Sequence, residues 1–192
     1  MVKEFDLNIE KILENWEVYH AVREIIANAL DEQKLTNSKD ISIHKDDGVW
    51  HITDYGRGLN YHHLTQNEKL SAEGLIGKFG VGLKDSLAVF YRNGIHVTIR
   101  SRYGVITLKQ MKKAGFDDVT TLHAEISDPD DPNMVGTDVS LDGCKDTDIE
   151  KAKNLFLCFS HEKTLDNTGF GSVLETPERS NAGIFIHGVK VA

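Results

Sequence analysis

A long amphipathic segment near the N-terminus constrains the fold most strongly. From Ile12 to Leu30, apolar residues recur at helical spacing. The pattern predicts a helix with one apolar face, and such a face has to be buried against another layer of structure. The apolar positions are Ile12, Leu13, Trp16, Tyr19, Val22, Ile25, Ile26, Ala29 and Leu30.

Most of the chain after this helix has the pattern of strands joined by turns. Ile41 and Ile43 alternate with polar residues, and a turn at Asp46-Asp47-Gly48 leads into a return strand over Val49–Thr53. Residues 54–82 lack periodicity and are punctuated by glycine, which predicts a loop with at most one short helix. The later predicted elements are helices at 83–92 and 147–160 and strands at 95–101, 104–110, 119–127, 137–141 and 183–191. This order predicts an α+β fold, with a mixed, mostly antiparallel sheet and helices on one face.

Composition and charge restrict the class of protein. No apolar run approaches the ~20 residues that span a membrane, and the start MVKEFDLNIEK has no signal-peptide pattern. Cys144 and Cys158 have neither metal-ligand spacing nor a disulfide framework, which favours the cytoplasm. The formal net charge of −8 argues against direct binding of nucleic acid. A nucleotide site in this chain would need local positive potential from backbone N–H groups, lysines and a metal ion.

Three short patterns carry candidate chemistry, and the first is glycine-rich. Gly77-Lys78-Phe79-Gly80-Val81-Gly82 opens the predicted helix at Leu83. Residues without a Cβ let the backbone approach phosphate oxygens, and the free N–H groups of a helix start attract anions. The alternative is a flexible loop. The pattern lacks the Gly-Lys-Ser/Thr ending of a Walker A loop, and no early βαβ unit surrounds it as in a dinucleotide-binding fold.

The second pattern is Asp54-Tyr55-Gly56-Arg57-Gly58, directly after the strand Val49–Thr53. A carboxylate at a strand end can accept a hydrogen bond from an exocyclic amine such as adenine N6. The glycines then let the chain pass close to a flat ring. An ordinary Asp-x-Gly turn is the alternative.

The third pattern lies on the first helix, where Glu24, Asn28 and Asp31 follow at i, i+4 and i+7 and share one face. A polar stripe of this kind is usually only the solvated side of an amphipathic helix. The residue types suggest more, since Asn offers a neutral oxygen to Mg²⁺ and a nearby Glu can deprotonate a water molecule.

Taken together and in this order, the patterns resemble the GHKL superfamily, which includes DNA gyrase B subunits, heat-shock chaperones, histidine kinases, MutL and the MORC ATPases. The segment from Glu24 to Asp31 looks like its N-box, Asp54 to Gly58 like its adenine box, and Gly77 to Gly82 like its glycine box. Gly136-Thr137 is similar to the pair that supports the adenine-reading aspartate. The resemblance covers roughly residues 15–142.

The resemblance implies a Bergerat fold, a two-layer α/β sandwich that holds ATP beneath a mobile lid. It implies Mg²⁺ held through Asn28, adenine read by Asp54 with help from Thr137, and water polarised by Glu24. The whole chain, 1–192, is then one GHKL-type ATP-binding domain, either alone or as the N-terminal part of a longer protein. Lys84 and Lys78 are candidate phosphate contacts or, equally, surface lysines.

Two departures from the family pattern affect the expected function. The lid, about 60–76, is short beside that of gyrase, and no downstream phosphate-contacting lysine is present in this chain. We therefore expect Mg-dependent ATP or ADP binding with slow hydrolysis that moves a lid, a downstream domain or a protein partner. The alternatives are a nucleotide sensor without turnover and a histidine-kinase catalytic domain, against which Glu24 counts.

Overall fold

The fold is described by a computed structural model for residues 2–7, 9, 15–64, 75–76, 82–160, 163–175 and 183–191. A seven-stranded sheet has the order β1-β6-β5-β4-β7-β3-β2, and every neighbouring pair in it is antiparallel. The expected α+β class and antiparallel sheet are therefore confirmed. The sheet strands are β1 (Lys3–Asp6), β2 (Ser42–Asp46), β3 (Val49–Thr53), β4 (His96–Ser101), β5 (Gly104–Lys112), β6 (Thr120–Ser127) and β7 (Thr137–Asp142).

In the part of the chain that the structure describes, three α-helices complete the sandwich: α1 (Val18–Thr36), α2 (Gly82–Arg92) and α3 (Asp146–Lys153). Helix α1 packs against α2, α3 and β3, and α2 packs against β4. The apolar side chains of the helices form one buried cluster with one face of the sheet. A row of aligned cross-strand partners contributes that face: Ile52, Val139, Ile99, Ile106 and Ile126.

The opposite face of the sheet is polar. The neighbouring row of aligned partners consists of His51, Ser140, Thr98, Thr107 and Glu125. Because successive side chains of a strand point to opposite faces, this alternation places the helices on the apolar side. The expected two-layer arrangement is thus present.

The start of α1 differs from the prediction. The helix begins at Val18 rather than Ile12, because the backbone N–H of Glu17 donates to His20 Nδ1 at 3.0 Å and so forms a cap. It also runs past Leu30 to Thr36 and ends at Asn37, whose φ of 50° is left-handed. Residues 10–14 lie outside the described part of the chain.

The C-terminal third departs further from the sequence-based prediction. The helix predicted over 147–160 ends at Lys153, because Phe156 takes an extended conformation and bridges to Val189. A 3-10 helix follows at Leu157–Phe159. The predicted strand 183–191 is a hairpin of β10 (Phe185–Ile186) and β11 (Val189–Lys190), and the hairpin of β8 (Thr164–Thr168) and β9 (Gly171–Leu174) was not predicted.

In the described part of the predicted loop at 54–82 there is one short 3-10 helix, Tyr61–Leu64. Most of the lid predicted at about 60–76 lies outside the described residues, because 65–74 are not among them. Among the described helices, none is long and apolar enough to cross a membrane.

Candidate functional site

The centre of the candidate site is a buried carboxylate at the end of β3. Asp54 is only 6% exposed, and its side-chain Oδ1 accepts a hydrogen bond from the Gly56 N–H at 2.9 Å. The neighbouring strand β7 begins at Thr137, whose carbonyl accepts from the Asp54 N–H at 2.9 Å. The Thr137 hydroxyl bonds the Asp54 carboxyl and accepts from the Leu59 N–H at 2.9 Å. The structure thus joins Asp54 to Thr137, the partner predicted from the sequence.

Burial raises the pKa of Asp54 above that of an ordinary aspartate, and the charge of Glu32 adds to the effect. Hydrogen bonds from Gly56 and Thr137 act in the opposite direction without cancelling it. Three hydrogen bonds, one from the Gly56 backbone and two from the side chain and backbone of Thr137, therefore do not fully compensate this carboxylate for the water it has lost. A ligand that brings a further N–H donor, such as an amino group on a heterocycle, would stabilise the ionised form.

Backbone segments approach each other closely beside Asp54. Gly136 has a φ of +81°, and a Cβ there would collide with the Asp54 carbonyl group. A Cβ on Gly58, whose φ is +86°, would lie 3.0 Å from the Gly136 carbonyl oxygen. The loop at 54–58 can therefore lie directly on the start of β7 only because both positions are glycine.

An ion pair that sequence analysis did not identify ties this loop to α1. Glu32 Oε1 accepts from the Arg57 backbone N–H and from Arg57 Nε, both at 2.9 Å, and Oε2 accepts from Nη2 at 3.0 Å. A Cβ on Gly56 would lie 2.7 Å from Glu32 Oε1, so glycine also makes room for this contact. The sequence feature that could have indicated Glu32 is its spacing, because it follows Asn28 by one helical turn and so lies on the same face of α1.

Glu24 lies at the opposite end of the same helix face. Its carboxylate pairs with the Arg23 guanidinium, and its Oε2 is the atom nearest to a Cβ placed on Gly82, the first residue of α2. Glu24, Asn28 and Glu32 recur every four residues, so they span about 12 Å along α1 at 1.5 Å per residue. Helix α1 therefore connects the Asp54 loop with the N-terminus of α2.

The N-terminus of α2 brings a lysine and a second acid to this end of the site. Lys84 is half-buried in the first turn. Burial raises the pKa of the adjacent Asp85, the charge of Lys84 opposes the rise, and the charge of Glu24 adds to it. The charges of Lys84, Asp85 and Glu24 therefore interact at this helix start. An anion bound here would be attracted by Lys84 and the helix N-terminus and repelled by the two carboxylates.

Two residues of the predicted polar stripe occupy different environments. Asn28 is half-buried between Glu24 and Glu32 along the helix. Asp31 is buried, with 1% exposure, and its Oδ1 accepts from the backbone N–H of Ile76 at 2.7 Å. Asp31 therefore anchors Ile76, the residue before Gly77, and its burial differs from the solvated position that is usual for a polar stripe on a helix. Its role in an ATP-binding site stays a prediction.

Five residues of the predicted glycine box, Gly77, Lys78, Phe79, Gly80 and Val81, lie outside the described residues. Gly82 is described and starts α2. Within the described ranges, no group of three or more His, Cys, Asp and Glu side chains is arranged to hold a metal ion. The magnesium contact predicted at Asn28 stays a prediction.

Comparison with known proteins identifies a family. The model of the Mycoplasma pneumoniae MPN635 N-terminal domain matches residues 147–192, which include the C-terminal hairpins and all of α3 except its first residue. A Mycoplasma pneumoniae protein, described as uncharacterized, is 36% identical over 194 residues, an alignment that covers 97% of this chain and 78% of the relative. The chain belongs to the family of this Mycoplasma pneumoniae protein.

Proposed function

We propose that this domain binds ATP or ADP with Mg²⁺ and hydrolyses ATP slowly. The supporting observation is the arrangement along α1, with the Asp54 carboxylate, whose pKa is raised by burial, at one end and Glu24 with the start of α2 at the other. These ends match the two ends of a nucleotide, an amine-bearing base and an anionic phosphate chain. On this proposal the fold is of the Bergerat type, in line with the sequence resemblance to GHKL ATPases.

Adenine binds at Asp54 in this proposal. The carboxylate accepts from the exocyclic amine, and Thr137 orients it. Gly56 and Gly58 hold the loop in place, because they let it pack against Glu32 and Gly136. Because Asp54 is buried, each further hydrogen bond to its carboxylate stabilises the ionised form. A base that carries an amine therefore fits better than a base that offers only a carbonyl.

The phosphates lie at the N-terminus of α2, with Lys84 in its first turn. Glu24 and Asp85 make this end unfavourable for a bare polyphosphate, since like charges repel. The requirement for Mg²⁺ follows, with the Asn28 amide oxygen as its protein ligand. Bound Mg²⁺ would neutralise phosphate charge, while Glu24 would accept the proton of the attacking water.

Binding and hydrolysis of the nucleotide would move a lid, a downstream domain or a protein partner. The net charge of −8 still argues against direct contact with nucleic acid. We also propose a cytoplasmic location, because Cys144 and Cys158 are free thiols.

Steady-state hydrolysis and ADP affinity, measured together, test the proposal. Glu24→Ala should lower turnover about 10²- to 10⁴-fold, the usual contribution of a general base, and leave ADP affinity nearly unchanged. Glu125→Ala, a glutamate on the polar sheet face paired with Lys109 at 3.6 Å, is the matched control and should behave as wild type. Unchanged turnover in Glu24→Ala would favour a sensor without hydrolysis, and loss of both activities would mean that Glu24 is structural.

A further inference from the structure

Arg23 makes an unusual contact with the residue next to it. Its Nε donates to Glu24 Oε1 at 3.1 Å, and its Nη2 donates to the same oxygen. Side chains at i and i+1 of a helix point in different directions, so helical geometry does not by itself bring them together. The arginine has to curl toward Glu24, and a specific arrangement holds it there.

Trp16 provides part of that arrangement. The Arg23 guanidinium carbon lies 5.9 Å from the centroid of the Trp16 ring, within the range of a cation–π contact. The Trp16 carbonyl in turn accepts from Arg92 Nη2 at 2.6 Å, which ties this residue to the end of α2. Arg23 is thus packed on an aromatic ring on one side and bound to Glu24 on the other, with its side chain 30% exposed.

The contact leaves the two oxygens of Glu24 in different environments. Oε1 is held by Arg23, whereas Oε2 is directed toward Gly82 at the start of α2. The Glu24 side chain is 20% exposed, so the pair is partly shielded from water. An arginine that fixes one oxygen thereby sets the direction of the other.

We propose that Arg23 is the positioning residue of ATP hydrolysis, a role that rests on the proposed function and deepens it. By holding Oε1, Arg23 aims Oε2 at the phosphate end of the site, where the attacking water would be deprotonated. Arg23 acts through Glu24 rather than on the nucleotide.

Three variants of the full chain test this role: Arg23→Ala, Arg23→Lys and Lys151→Ala. Lysine keeps the charge and can donate to one oxygen, but it lacks the planar fork of arginine. Lys151 is the matched control, since its ammonium lies near the same end of α1, 5.5 Å from the centroid of the Tyr19 ring and 4.0 Å from a Glu17 oxygen, and it has no described contact with Glu24. For each protein, kcat and KM for Mg-ATP, ADP affinity and thermal midpoint are measured.

Arg23→Ala should lower kcat about 10- to 100-fold, the effect expected when a reacting group loses its orientation, and leave KM and ADP affinity within about threefold of wild type. Arg23→Lys should recover part of the loss, and it decides the matter if Arg23→Ala does not fold. Lys151→Ala should behave as wild type.

Unchanged kcat in Arg23→Ala would overturn the positioning role while leaving the ATPase proposal intact. A joint loss of kcat and ADP affinity would also overturn it, by making Arg23 structural. A wild-type chain that binds ADP but does not turn over ATP would refute the hydrolytic function and this inference with it.

Discussion

At the scale of single residues, Asn28 differs chemically from the acids around it. It lies one helical turn from Glu24 and one from Glu32, on the line that joins the two ends of the site. An amide oxygen can bind a hard cation without adding negative charge to a region that already contains Glu24 and Asp85. Asn28 is therefore the residue through which a metal requirement should be visible.

Asn28→Ala should weaken ADP binding in the presence of Mg²⁺ more than in its absence, because the lost group is a metal ligand. Calorimetry with Mg²⁺ and with EDTA measures the difference, which should amount to about 1.5–3 kcal/mol, the range for a lost hydrogen bond to a charged partner. Asn133→Ala, on an exposed turn, serves as the control. Equal weakening in both conditions would make Asn28 structural.

At the scale of elements, the Glu32–Arg57 ion pair holds the loop at 54–58 onto α1. Burial tends to raise the pKa of Glu32, but the hydrogen bonds and charge of Arg57 outweigh it, so the pKa is lowered overall. The ionised form therefore stabilises the folded state. That contribution is present above the pKa of a glutamate in the unfolded chain and is lost as the pH falls through the lowered folded value.

Glu32→Gln should remove this pH-dependent contribution. At pH 7 we expect a loss of about 1 kcal/mol in the free energy of unfolding, since Arg57 is half exposed and solvent screens the pair. Urea unfolding should show the difference from wild type shrinking as the pH is lowered into the acid range. A difference that grows on acidification would contradict the assignment.

Elements with local sequence signals were predicted correctly, whereas elements fixed by distant contacts were not. Helix α2 was predicted almost to the residue, because Gly82 and Asn93-Gly94 are local signals. Strand β1 was missed, because Lys3–Asp6 has no alternation and is fixed by pairing with the distant β6. Asp54 and Thr137 were found through motifs, whereas Glu32 and Arg57 meet only once the chain has folded. Local sequence patterns therefore predict individual elements, whereas contacts between residues far apart in the chain are known only from the structure.

At the scale of the whole molecule, the site lies across the boundary between the two layers. Asp54 and Thr137 belong to ends of sheet strands, while Glu24, Asn28 and Lys84 belong to helices that share their core with the sheet. A ligand that contacts both layers should stabilise the fold as a unit, because it binds the native state and not the unfolded chain.

Mg-ADP should therefore raise the thermal midpoint of unfolding. Free ligand at 100 times its Kd contributes about 2.7 kcal/mol, which for a chain of this size corresponds to roughly 5–10 °C. Mg-UDP, which shares the phosphates but lacks an exocyclic amine, is the matched ligand control and should give a smaller shift. Equal shifts with the two nucleotides would mean that the protein does not distinguish adenine from uracil.

Calorimetry of Mg-ADP binding to wild type and Asp54→Asn tests whether the Asp54 carboxylate binds the amine of the base. The amide can turn its NH₂ toward the adenine amine, so binding should weaken by about 1–3 kcal/mol, or roughly 5- to 150-fold. Because the pKa of Asp54 is raised, its ionised form costs the folded state stability as the pH rises past the unfolded value. The variant should therefore remain folded at neutral pH, with a thermal midpoint at or above that of wild type. A folded Asp54→Asn protein that binds Mg-ADP as tightly as wild type would show that Asp54 does not bind the adenine amine.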